Sequence, residues 1–180
     1  GDWSSDVCSS DLTQNLLCDF SQMGIPFDNV DPEYLQKPRK WETRSIKSFM
    51  AFMGPLSSVF DILCFAVMWW IIKANTPAMA PLFQCGWFVF GTVSQVLVIH
   101  MIRSGKIPFV QSMAAKPLLL STTIVALAAV LAGFSALASG LDMTPLPLGF
   151  LPWLVLLLAG YCLSTQFFKA IYIRRFGEWL

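Results

Sequence analysis

Asn15 and Asp19 stand four residues apart and Gln22 follows three later, so a helix through them carries all three on one face. Their carbonyl and carboxylate oxygens are hard donors, suited to magnesium or calcium rather than copper or zinc. Gly24 and Pro26 come next. Proline removes a backbone donor and crowds the preceding turn, so the helix weakens there. A helix broken at membrane depth is tolerated where its freed carbonyls face protein or a wet cavity, and transporters build cation sites from such breaks. One carboxylate is too few for a closed cage, so other helices must add ligands. The same spacing fits a polar helix end resting at the interface, and the spacing alone does not separate the two.

Asp61 interrupts a long apolar run, where a carboxylate costs roughly 2.5–3.5 kcal/mol on insertion scales. It is expected to face the bundle, with a hydrogen bond to a neighbouring helix favoured over a ligand role. Ser94 and Gln95 sit deep in the next run and can bond between helices or complete a cation site. His100, near the end of that run, reads as a satisfied interface histidine. Gln166 and Lys169 lie near the end of the last run, where lysine can snorkel. The candidate set is therefore Asn15 and Asp19 for the metal, with Gln22, Asp61, Ser94 and Gln95 in support; no catalytic residue is expected.

Other chemistry is missing from the sequence. It contains no Gly-rich phosphate loop, nucleophile elbow or HExxH motif. No stretch between apolar runs is long enough for a nucleotide-binding domain, so the chain by itself is not expected to hydrolyse ATP. Cys8, Cys18, Cys64, Cys85 and Cys162 show no paired spacing and predict neither a disulfide framework nor a zinc site. A net charge of +1 points to no nucleic-acid partner.

The elements that must position these residues follow from hydropathy. Of the 180 residues, 56% are hydrophobic and 13% charged, about half the charge of an ordinary soluble domain. The bilayer is the expected partner. Runs at about Phe49–Ile72, Leu82–Ile102, Pro117–Leu141 and Leu151–Ile171 are each long enough to span it. Thr13–Phe27 reads as the tail of another helix. The fold class predicted is an all-α integral membrane protein with four complete transmembrane helices and a truncated fifth at the N-terminus. Residues 1–12, acidic and serine-rich without periodicity, read as a non-native leader of the kind produced by translated sequencing adapter; residues 13–180 form one membrane domain.

Charge sets the orientation. Lys37, Arg39, Lys40, Arg44 and Lys47 precede the first span; Arg103, Lys106 and Lys116 follow the second; Lys169, Arg174 and Arg175 close the fourth. The two other connections carry little beyond Lys73. Positive-inside bias then puts the basic connections and the C-terminus in the cytoplasm. Trp69, Trp70, Trp87, Trp153 and Trp179 lie near expected helix ends, as headgroup-level indoles do. Small residues recur at spacings of four in the third run (Ala129 with Gly133; Ala132, Ala136 and Gly140), a pattern for close helix packing.

Asn15-Leu16-Leu17-Cys18-Asp19 resembles the Asn-x-x-x-Asp cation motif on the sixth membrane helix of P-type ATPases. Phe20-Ser21-Gln22 after the aspartate and Lys37-Pro38-Arg39-Lys40-Trp41 resemble the bacterial magnesium pumps of that family in particular. Gly54-Pro55-Leu56-Ser57-Ser58-Val59-Phe60-Asp61, Val98-Ile99-His100-Met101-Ile102-Arg103 and Phe176-Gly177-Glu178-Trp179-Leu180 are similar to the same family. The resemblance covers about Thr13 to Leu180. It implies the C-terminal membrane portion of a magnesium-transporting P-type ATPase in a bacterial inner membrane, from a sixth-helix remnant to the tenth helix. Asn15 and Asp19 would bind the ion, magnesium being the cargo. Cys18 stands where calcium pumps use threonine, so a hydroxyl ligand is lost. ATP would act only through phosphorylation and nucleotide domains that this chain lacks, and its partners would be those domains and the pump's other helices. The rival expectations are a standalone membrane accessory or scaffold protein, and a pump of the same family for calcium or another cation.

Overall fold

The computed structural model describes residues 9–28, 43–104, 108 and 112–176. Among them run five α-helices: α1 Ser9–Gln22, α2 Thr43–Ala66, α3 Ala80–Ile102, α4 Lys116–Phe134 and α5 Leu151–Phe176. Phe49–Ile71, Pro77–Ile102, Lys116–Phe134 and Leu148–Arg175 are long and apolar enough to cross a membrane. The all-α membrane fold expected from hydropathy is the fold observed. The stretch from Asn29 to Glu42, with Lys37, Arg39 and Lys40, lies outside the described residues, as do Lys106 and the terminal Gly177-Glu178-Trp179-Leu180.

Three boundaries depart from expectation. α1 starts at Ser9, inside the stretch set aside as leader. No glycine or proline stands between Ser9 and Gln22, so each added residue gains a hydrogen bond without obstruction. At its other end α1 stops at Gln22, and a short 3-10 turn, Ile25–Phe27, follows the Gly24 break. α4 ends at Phe134 instead of continuing to Leu141. Ser135 turns extended there, and its hydroxyl oxygen accepts the Leu137 N–H at 3.2 Å, starting a separate 3-10 turn over Ala136–Leu141. The small-residue stripe is cut accordingly: Gly133 packs closely, whereas a Cβ on Gly140 would meet nothing within 4 Å.

α3 is the central helix. Half of its apolar window is buried, against 28% for each of the other three spans. Cys85, Phe88, Val89 and Phe90 on α3 meet Cys64 of α2, Met68 just beyond it, Ala129 of α4 and Leu154 of α5 in the main core. A satellite cluster joins Phe49 and Met53 of α2 to Tyr172 of α5, with Phe49 and Tyr172 edge to face at 5.9 Å. Leu120, Ile124, Leu127 and Leu131 form an exposed apolar stripe along α4.

The spans alternate in direction, and each end is tied differently. At one end Asp28, Arg103 and the approach to α4 are linked by hydrogen bonds. At the other, Thr144 N–H donates to Pro81 C=O at 3.3 Å and Leu146 N–H to Gly133 C=O at 2.9 Å. α2 closes with a π-helical turn, Val67–Ile71, after which Lys73 takes a left-handed conformation (φ 60) and Ala74 N–H reaches back to Met68 C=O at 2.9 Å. Trp69 and Trp70 are exposed at this end, as a headgroup belt requires. Trp153 lies in the first turn of α5, while Trp87 sits two turns into α3 against Phe65.

Candidate functional site

α1 has two polar stripes, offset by one residue. Gln14, Cys18 and Ser21 point toward α3 and α4: Cys18 and Ser21 are buried, and the Cys18 thiol donates to Gln95 Oε1 at 3.2 Å. Asn15, Asp19 and Gln22 occupy the exposed face, with Leu16 and Met23 exposed beside them. Cys18 is therefore turned away from the face that bears Asp19.

The break after α1 is seated on α4. Ser121 Oγ donates to Ser21 C=O at 3.1 Å, and a Cβ on Gly24 would come within 2.6 Å of the Leu118 Cα. Backbone cannot yield as a side-chain tip can, so this crossing needs glycine. Two residues beyond Pro26, Asp28 accepts Arg103 Nε at 2.6 Å and the Ala115 N–H at 2.7 Å. Arg103 also donates to the Ser112 and Met113 carbonyls.

A chamber of about 460 Å³ opens between α1, α2, α3 and α5, with Gln14, Ser57, Asp61, Ser94, Gln95 and Thr165 among its lining. The six candidates thus divide. Asp61, Ser94 and Gln95 share the chamber; Asn15, Asp19 and Gln22 lie outside its lining. The interhelical hydrogen bond favoured for Asp61 is not made: its carboxylate has no hydrogen-bond partner among the described residues. The neighbouring walls present hydroxyl oxygens, and among the described residues none of its lining is basic. Ser94 bonds back to Gly91 C=O on its own helix at 3.0 Å, so of the α3 pair it is Gln95 that bridges helices. Gln14 was missed in the sequence, because a helix with two adjacent polar stripes does not reveal which one its neighbours cover. Among the described residues no three His, Cys, Asp or Glu side chains come together, so any cation held here rests largely on neutral oxygens.

His100 is buried, with Nε2 2.9 Å from Thr122 Oγ1, as a satisfied histidine requires. Lys169 departs from the snorkelling expected of it. It is 2% exposed and donates through Nζ to Met101 C=O at 2.9 Å, in the last turn of α3. The last carbonyls of a helix lack internal partners and carry negative partial charge, which makes them a fitting seat for an ammonium group.

Residues 12–171 match the family described as Cation transporting ATPase, C-terminus. The chain belongs to this family. Its relatives include the protein named Magnesium-transporting ATPase, P-type 1, of Escherichia coli (strain K12), 53% identical over 166 residues that cover 92% of this chain and 18% of the relative. Two proteins of that name from Salmonella typhimurium (strain LT2) are 52% identical over 166 residues and 48% identical over 168, again covering 18% of each relative. The chain spans less than a fifth of the length of these curated relatives. In this ATPase C-terminal region the broken helix α1, the Gly54–Asp61 wall of the chamber and the Val98–Arg103 end of α3 are adjoining parts of one bundle.

Proposed function

We propose that this chain is the C-terminal membrane region of an ATP-driven magnesium pump, and that Asn15 and Asp19 supply ion ligands from the broken helix α1. The observation that carries the reading is the 53% identity, over 92% of the chain, to a protein named as a magnesium-transporting ATPase. The geometry supports the ligand assignment. Asn15 and Asp19 share the face of α1 that the described helices leave uncovered, where ligands from the remainder of a longer pump can meet them. Magnesium holds its water tightly and is bound through one or two carboxylates, which suits the single charge of Asp19. ATP hydrolysis belongs to domains elsewhere in such a pump and reaches this region as a movement of helices.

Among the described residues, Arg103, Lys116, Lys169, Arg174 and Arg175 lie toward one end of the bundle, where α3 ends, α4 begins and α5 ends. Positive-inside bias makes that end, and the C-terminus, cytoplasmic in a bacterial inner membrane. The test is uptake by the full-length pump carrying this region. Magnesium uptake that Asp19→Asn abolishes, with membrane insertion intact, is the expected result. Normal uptake by that variant rejects Asp19 as a ligand, and calcium-stimulated ATPase without magnesium uptake transfers the region to a calcium pump.

A further inference from the structure

The Gly24–Pro26 break frees backbone carbonyls, and in this chain protein donors take them up. Met23 N–H donates to Phe20 C=O at 3.3 Å, Phe27 N–H to Gly24 C=O at 3.2 Å and Asp28 N–H to Ile25 C=O at 3.0 Å. Ser121 Oγ, on α4, lies 3.1 Å from both Ser21 C=O and Leu118 C=O, which share its one proton. The break is thus a satisfied turn seated on α4.

The seat is fixed on both sides of the break. Ahead of it, the Cys18 thiol bonds Gln95 of α3, and the backbone at Gly24 crosses that at Leu118 with no room for a Cβ. Beyond it, Asp28 accepts Arg103 Nε at 2.6 Å and the Ala115 N–H at 2.7 Å. Each of these contacts has both partners inside this chain. Asn15 and Asp19, on the other stripe of α1, take part in none of them. Turning or sliding α1 against α3 and α4 would break an ion pair, hydrogen bonds to both helices and a backbone crossing together. Close-packed contacts of this kind hold or give way as a unit and do not deform gradually.

We propose that Asp28, Arg103 and Ser121 are positioning residues for ion transport. They clamp the two sides of the break, so that α1, α3 and α4 move as one body and carry Asn15 and Asp19 on its face. The proposal rests on the reading of Asn15 and Asp19 as ion ligands. It adds that the break is no hinge, and that access to the ion changes between this body and whatever meets that face.

The experiment is magnesium uptake by the full-length pump in proteoliposomes, with Asp28→Cys and Ala115→Cys introduced together. A side chain at position 28 already reaches the backbone of residue 115. Copper phenanthroline, taking two electrons and two protons from the thiols, would then replace the carboxylate clamp by a disulfide. The reduced pair is expected to raise the KM for magnesium at least about threefold, with the maximal rate within about twofold of wild type. Oxidation is expected to bring KM back toward wild type, and dithiothreitol to raise it again. Ser121→Ala is expected to raise KM likewise, and Ser121→Thr, which keeps the hydroxyl, to restore it. A merely structural role would lower the amount of folded pump, and with it the maximal rate, leaving KM in place. Uptake that stops on oxidation means that α1 must move against α4 and overturns the proposal. So does a disulfide that does not form, or a KM unmoved in either variant. Normal uptake by Asp19→Asn removes the ligand reading instead, and the oxidised pair still decides whether the three helices move as one.

Discussion

The Asp28 carboxylate receives the Arg103 guanidinium at 2.6 Å across 75 residues of sequence, with both side chains largely buried (14% and 9% exposed). The other Asp28 oxygen takes the Ala115 N–H just ahead of α4. One carboxylate thus joins the segment after the broken helix, the end of α3 and the start of α4. Asp28→Ala is expected to destabilise the bundle by about 3 kcal/mol, because it takes a close carboxylate partner from a sheltered guanidinium and the acceptor from the Ala115 N–H. Arg103→Lys is expected to lose about half of that, since an ammonium cannot reproduce the fork. Denaturation of the reconstituted protein checks both, and stability unchanged in Asp28→Ala would mean that the pair is incidental.

Four glycines form a graded series. Gly24→Ala drives its Cβ against the Leu118 backbone (2.6 Å), and Gly133→Ala meets Val89 Cγ2, a β-branched side chain with little freedom. Gly86→Ala meets the flexible end of Met68, and Gly54→Ala meets nothing within 4 Å. Overpacking costs typically about 1–3 kcal/mol. Gly24→Ala and Gly133→Ala are expected in that range, Gly86→Ala below it, and Gly54→Ala close to neutral. Thermal unfolding of the four variants gives the order, and a reversal between Gly54→Ala and Gly133→Ala would refute the packing.

Lys169 closes the end of α3 from another helix. Lys169→Met keeps the stem and removes the ammonium donor, leaving the Met101 carbonyl without that bond. A loss of about 1–3 kcal/mol is expected. Hydrogen exchange offers a local reading: amides in the last turn of α3 are expected to exchange faster, with those near Ala80 unaffected.

Cys18 and Gln95 fix the rotation of α1 about its own axis. Cys18→Ser retains a donor of similar size and is expected to be nearly silent. Cys18→Leu overfills a position only 5% exposed and is expected to lower magnesium uptake by the full-length pump while Asn15 and Asp19 stay in place. Equal uptake by the two variants would separate this contact from transport.

Four spans, their alternation and the basic end of the bundle were legible in the sequence because the bilayer imposes crude rules: about twenty apolar residues per crossing, and lysine and arginine on one side. The polar break after Gln22 was legible for a similar reason, since Gly24 and Pro26 act on the backbone whatever surrounds them. The end of α4 was not. Nothing local in Ala132–Leu141 forbids helix, and the turn at Ser135 is held by its own hydroxyl together with the Gly133 carbonyl, which Leu146 occupies from beyond the loop.

What the sequence determined by itself is the class of molecule, the number of crossings and the kinds of atoms available to a cation. Each depends on residue type and spacing along one helix. Only the tertiary structure decided which atoms meet. It turned Cys18 inward and Asp19 outward, buried Lys169 against α3, and left Asp61 facing a chamber in place of a hydrogen-bond partner. Those outcomes depend on how one helix is rotated against another, and rotation is set by side chains far apart in sequence that no local pattern records.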